Sequence, residues 1–229
     1  MSLYFILLTA SVGVPLVLSF DKRLRFYTKW KYVLPSITAV ALVYILFDIL
    51  LTKNGVWGFN PKYLSGKYIF NMPVEECLFF IAIPYASIFL HYSVIEYFPN
   101  LRISPGRERL ITFTLISVSL AILIFTFNNQ YTLYILLKFV IVLFLSYFDK
   151  NKTINTFYFT FLFILVPFVI VNGILTGSFI DEEVIWYNNA ENLGIRFFTI
   201  PVEDFAYAFS MILFNLLLIE NLEKTGGKK

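Results

Sequence analysis

Seven apolar runs, at residues 3–20, 33–51, 77–98, 110–127, 131–148, 155–175 and 205–219, take up most of the 229-residue chain. Most of them approach the roughly 20 residues that an α-helix needs to span a bilayer, and no segment between them is long enough to fold alone. With 59% hydrophobic and 14% charged residues, the chain carries more apolar surface than a water-soluble domain of this length could bury. The expectation is an all-α, polytopic membrane protein of seven transmembrane helices. The first run reads as a span and not as a signal peptide, because basic residues follow it and no small-residue cleavage pattern closes it.

Charge fixes an orientation for those helices. Lys22, Arg23, Arg25, Lys29, Lys31, Arg102, Arg107, Arg109, Lys150, Lys152, Lys224, Lys228 and Lys229 fall on one side, against Lys53, Lys62, Lys67 and Arg196 on the other. Short loops rich in Lys and Arg stay in the cytoplasm, so the N-terminus is expected outside and the C-terminus inside. The formal charge of +3 is then a consequence of topology, and no nucleic-acid partner is implied.

A doubled motif organises the chain. Pro73-Val74-Glu75-Glu76 enters one apolar run and Pro201-Val202-Glu203-Asp204 enters another, and Asp21 stands 54 positions before Glu75 as Asp149 stands 54 before Glu203. Phe20-Asp21-Lys22 and Phe148-Asp149-Lys150 repeat at the ends of runs one and five, and Asp48 corresponds to Asn172, four positions out of step. These matches divide the chain into a three-helix repeat at 1–104, a linker helix at 105–130 and a second repeat at 131–229. A single linker helix restores the crossing direction, so the repeats are expected to be parallel and not inverted.

Proline suits the first turn of a helix, so Pro73 and Pro201 are expected to start helices three and seven. Acids in a first turn complement the positive helix end. That explains one acid per helix better than a recurring adjacent pair. Consecutive helical positions lie about 100° apart, so one carboxylate of each pair can face the bundle interior while its neighbour faces a loop. Glu75 and Glu203 are expected inward, with Glu76, Asp204 and Asp48 as further candidate catalytic acids. Lys138, in mid-helix, has Ala10 at its matched position and must either pair with a carboxylate or snorkel.

Two polar segments, 52–72 and 176–200, interrupt the motif side, each with a Trp and a nearby Asn: Trp57 with Asn60, and Trp186 with Asn188 and Asn189. The tryptophans are read either as interfacial anchors or as parts of lids over the motifs. His91 and Glu96 read as interhelical or interfacial polar contacts, and Pro15, Pro84 and Pro167 as kinks. Cys77, the only cysteine, is a small packing residue or a reactive thiol and forms no intrachain disulfide. Phe79, Phe80, Phe205 and Tyr207 cluster beside the motifs, where ring faces can stabilise a cation without attacking it. Dinucleotide and Walker-type phosphate motifs are missing, as is an Asp-x-x-x-Asp pair for magnesium diphosphate, and helix seven has no lysine for a retinal Schiff base.

Taken together, Asp48, the Trp57 and Trp186 loops, Pro73-Val74-Glu75-Glu76-Cys77-Leu78-Phe79-Phe80, Val171-Asn172-Gly173-Ile174-Leu175-Thr176-Gly177 and Ile200-Pro201-Val202-Glu203-Asp204 resemble the small integral-membrane lycopene cyclases. The resemblance is to the fused form of the two-subunit bacterial type, related to the cyclase half of fungal bifunctional enzymes, and it covers nearly the whole chain. It implies a redox-neutral, acid-catalysed closure of the ψ-ends of lycopene to β-rings, by way of γ-carotene to β-carotene. Glu75, Glu76, Glu203 and Asp204 would be the motif acids, with Asp48 and Asn172 beside them. Phe79, Phe80, Phe205, Tyr207, Trp57 and Trp186 would meet the substrate. No cofactor or metal is required, and the partners are the carotenoid, the bilayer and other carotenoid enzymes. The alternative is a carrier or channel for an apolar or cationic solute, suggested by the paired repeats and intramembrane acids.

The Lys and Arg asymmetry predicts that reporters fused after Lys29 or Arg107 mark the cytoplasm, and those within 52–72 or 176–200 the outside. The reverse pattern would overturn the orientation.

Overall fold

A computed structural model describes residues 2–226. Its helices are α1 (Leu3–Leu18), α2 (Trp30–Lys53, entered through a 3-10 turn at Phe26–Lys29), α3 (Val74–Tyr97), α4 (Pro105–Thr126), α5 (Gln130–Ser146), α6 (Thr153–Leu175) and α7 (Val202–Gly226). The protein is all-α and polytopic: α2 with its 3-10 turn, α3, α4, α6 and α7 are long and apolar enough to cross a membrane. The two shorter apolar helices, α1 and α5, have 16 and 17 residues. At about 1.5 Å per residue they fall short of a hydrocarbon core of about 30 Å.

Local chemistry sets the helix ends. Ser2 caps α1 by accepting from the Phe5 amide at 3.3 Å, and Pro105 follows the Ser104 cap at the start of α4. At α3 and α7 the proline stands one residue earlier than expected, as the last residue of a short strand, and Val74 and Val202 begin the helices. The amides of Val74 and Val202 donate to the carbonyls of Lys67 and Ile195 at 3.0 and 3.1 Å. Each proline is therefore held in a hairpin, not in the first turn.

At the other end of the bundle, Asp21 accepts from the amides of Arg23 and Leu24 at 2.8 and 3.1 Å. Those bonds, Leu24's first, hold its carboxyl below the usual range. Asp149 accepts from the amides of Asn151 and Thr153 at 3.1 and 2.8 Å and from Lys224 at 3.4 Å. Burial works against its ionisation, yet the bonds from Thr153, Asn151 and Lys224 keep its carboxyl low as well. Both residues turn the chain after a short helix. Arg23 and Glu96 pair at 3.3 Å on this face, half exposed, where such contacts add little. Lys228 and Lys229, counted with this basic side, lie outside the described residues.

Within the bundle, α1 lies along α3 and α5 along α7, while α2 packs on α7 and α3, and α6 packs on α3. Polar contacts pin these crossings. Ser36 donates to the Asn215 carbonyl at 2.9 Å, Tyr44 to Ser210 at 3.0 Å, and His91 Nδ1 meets Thr160 at 2.6 Å. His91 is thus an interhelical contact. The peripheral helix is α4, which leaves Leu110, Phe113, Ile124 and Phe125 exposed.

The two polar segments are more ordered than the sequence suggests. In chain order, β1 (Trp57–Phe59) pairs antiparallel with β4 (Ile185–Tyr187), joining one segment to the other. Two hairpins, β2 (Tyr68–Ile69) with β3 (Met72–Pro73) and β5 (Arg196–Phe197) with β6 (Ile200–Pro201), sit at matched positions, and their turns put Phe70 and Phe198 both at φ 54°. Strands this short carry no readable periodicity, and the β1–β4 pairing is between distant parts of the chain. Trp57 is buried in this layer and is no headgroup anchor, whereas Trp186 is partly exposed.

Gly58, opposite Trp186 in the pairing, has no room for a side chain: a Cβ would lie 2.5 Å from Trp186 Cζ2. Gly58→Ala is therefore expected to displace the Trp186 indole from its place over the strand, at a cost of about 1–3 kcal/mol. It should lower the apparent melting temperature of the detergent-solubilised protein, and an unchanged melting curve would show that the β1–β4 clasp bears no such strain.

Candidate active site

One cavity of about 580 Å³ runs between α1, α3, α6 and α7, with apolar walls for most of its length. Asp48, Glu76 and Asp204 gather at its motif end, along with Trp57, Tyr131, Asn172, Tyr187 and Tyr207. Helix geometry accounts for the gathering. Glu76 and Asp204 occupy the first turns of α3 and α7, Asp48 and Asn172 lie about one turn from the ends of α2 and α6, and all four positions reach the same level.

Each carboxylate is met by hydroxyl or amide donors from other elements. Asp204 takes three, from Tyr131 at 2.6 Å, Asn172 Nδ2 at 2.8 Å and Tyr187 at 3.0 Å. Glu76 accepts from Tyr4, and Asp48 from Tyr207 at 2.5 Å. Tyr4 on α1 and Tyr131 on α5 thus serve the two motif acids alike. Burial and then the Asp204 charge push the Tyr187 hydroxyl well above its ordinary range.

Glu75 and Glu203 do not face the cavity, which corrects the sequence expectation. Glu75 accepts from the Ser65 amide at 2.6 Å and from Ser2 at 3.1 Å. Glu203 accepts from the Leu193 amide at 2.7 Å and from Thr132 at 2.8 Å. The segments that lead into the hairpins fold over the first turns of α3 and α7 and leave free N–H groups on that side. The carboxylate turned that way is claimed as their acceptor. Its neighbour, about 100° round the helix, is left for the interior.

The other expected substrate contacts divide. Phe79, Tyr207, Trp57 and Asn172 line the cavity. Phe80 is buried in a separate cluster with Tyr44 and Met211, and Phe205 lies behind Phe168, edge to face with ring centres 5.1 Å apart. Trp186 stands over Gly58, outside the cavity. Pro15 and Pro167 line the apolar part, and Pro84 does not. Lys138 makes no direct ion-pair contact and its Nζ does not reach solvent, although the Asp48 carboxylate is close enough to act on its charge. Its buried Nζ lacks a hydrogen-bond partner and lies 4.5 Å from the ring centres of both Tyr44 and Tyr207.

Sequence reasoning missed Tyr4, Tyr131 and Tyr187. The first two could have been found as tyrosines at nearly the repeat spacing before the motif acids; the third depends on the β1–β4 pairing and leaves no such trace.

A polytopic helical membrane protein with carboxyls at the end of an apolar cavity is suited to proton chemistry on a hydrocarbon. A family model described as lycopene cyclase matches residues 1–94 and 128–222, most of the chain. The protein belongs to that family. No curated protein and no solved structure matches it. The stretch between the two matched segments, 95–127, holds α4.

If Glu75 and Glu203 serve as acceptors for the overlying segments, Glu75→Gln and Glu203→Gln should speed hydrogen exchange at the Ser65 and Leu193 amides by an order of magnitude or more, since a charged acceptor contributes about 1.5–3 kcal/mol. Unchanged protection would show that the segments are held by other contacts.

Proposed function

We propose that the protein is a lycopene β-cyclase that closes ψ-ends to β-rings, γ-carotene preceding β-carotene, by intramolecular proton-catalysed isomerisation. The observation that carries this reading is the position of Asp48, Glu76 and Asp204 at one end of an otherwise apolar cavity. Membership of the lycopene cyclase family supports it.

The roles follow from the donors. Three hydrogen bonds to Asp204 suit an anion, which makes it the base. Glu76, with a single donor on one oxygen, has its other oxygen free to carry a transferable proton and acts as the acid. A ψ-end lying along the cavity brings its terminal double bond to Glu76. Proton transfer to that bond leaves a tertiary cation, the neighbouring double bond attacks it to close the six-membered ring, and a ring proton passes to Asp204. One proton is gained and one lost, so no oxidant or reductant takes part. The faces of Phe79, Tyr207 and Trp57 stabilise the passing charge. Asp48, held by Tyr207, adds negative charge beside it.

In this reading the two halves, 1–104 and 131–229, are parallel units that each supply one motif acid to a shared site, with 105–130 as the link. The basic end faces the cytoplasm. The site lies towards the outer leaflet of a bacterial inner membrane, and the carotenoid arrives from the lipid, delivered there by other carotenoid enzymes.

Pigment extracted from lycopene-accumulating bacteria tests the proposal. Cells carrying the protein should contain γ- and β-carotene. Glu76→Gln and Asp204→Asn, at matched membrane levels, should lose about 10²- to 10⁴-fold in rate. Lycopene left unconverted by the unaltered protein would sink the cyclase reading and return a carrier or channel for an apolar or cationic solute.

A further inference from the structure

The bundle has two lateral clefts built from matched helices, α1 with α6 and α5 with α2, both backed by α3 and α7. They differ sharply. The cavity takes six lining residues from α1 and six from α6, but only Tyr131 from α5 and only Asp48 from α2. A polyene therefore finds an apolar slot on one side of the carboxyl cluster and a filled space on the other.

Lys138 fills it. Its Nζ rests 4.5 Å from the ring centres of Tyr44 and Tyr207 and 5.6 Å from that of Phe47, and Phe47 in turn meets Tyr134 at 5.8 Å. Counted from Asp21 and Asp149, the first half has Ala10 at this position. Counted from Tyr4 and Tyr131, which make the matched bonds to Glu76 and Asp204, it has Ser11. Both are small, and both line the open slot. A buried ammonium with no hydrogen-bond partner is a costly way to fill a gap that leucine would fill. Its rings and the charge of the nearby Asp48 carboxylate offset part of that cost. Stability alone is a poor reason for a lysine here.

We propose that Lys138 seals the second of two matched clefts, so that the molecule has one polyene arm and the two ends of a symmetrical linear polyene meet the carboxyl cluster in separate binding events. The inference rests on the polyene substrate proposed above. Were both clefts open, the chain could thread past the acids and bring its second end up without leaving. With one cleft sealed it cannot. After the first ring closes, the half-cyclised molecule must withdraw into the lipid and return by its other end.

Two measurements test this. The first titrates lycopene into protein in lipid nanodiscs, using Glu76→Gln to prevent turnover. It should saturate at one polyene per chain, and two would overturn the seal; no binding would instead overturn the polyene reading itself. In the second, labelled lycopene is supplied to the unaltered enzyme with an excess of unlabelled half-cyclised product. Dilution of label in the two-ring product is expected, whereas undiluted label would mean that both ends are processed in one visit. Lys138→Ala, at a retained melting temperature, should open the second cleft and reduce that dilution, and dilution equal to that of the unaltered enzyme would overturn the assignment of the seal to Lys138.

Discussion

Carboxyl groups buried inside an apolar bundle cost free energy that well-placed donors offset in part, and this requirement shapes the motif end of the bundle. An ion left unpaired in such a place costs several kcal/mol. Asp204 on α7 is met from α5, α6 and β4, Glu76 on α3 from α1, and Asp48 on α2 from α7. No helix supplies its own acid with these donors. The contacts that make the acids tolerable are the same ones that fix the helices relative to one another.

Adjacent acids in each motif divide two tasks. Glu75 and Glu203 bind the amides of Ser65 and Leu193 and so hold the covering segments down. Glu76 and Asp204, next in sequence, turn to the cavity. The covering segments and the cavity carboxyls are thus mechanically joined through a single helical step. The two halves then part company at Asp48 and Asn172. Asn172 donates to Asp204, while Asp48 accepts from Tyr207, so one matched position helps to bind an acid and the other is an acid.

Much of this was legible in the sequence, because the signals are local. Apolar runs mark the helices, the Lys and Arg bias marks one face, and Pro73 and Pro201 mark the start of α3 and α7 to within one residue. The turns at Asp21 and Asp149 recur as their flanking residues suggest. What could not be read depends on distant partners. The choice between Glu75 and Glu76 is made by a free amide at Ser65, ten residues away in the chain and brought close only by a hairpin. Trp57 and Trp186 look alike in sequence, yet the first is buried and the second lies over Gly58, because the β1–β4 register separates them. Lys138 presented two alternatives and took neither, since three aromatic rings from two other helices form its surroundings.

The crossing of α2 with α7 has a consequence for biosynthesis. Asp48, Tyr44 and Ser36 on α2 all find hydrogen-bond partners on α7: Tyr207, Ser210 and Asn215. At elongation rates of about 5–20 residues per second, the ribosome completes α2 on the order of ten seconds before α7 emerges. Throughout that interval a polar face of α2 lies in the membrane without its counterpart, within reach of insertion factors or of the wrong helix.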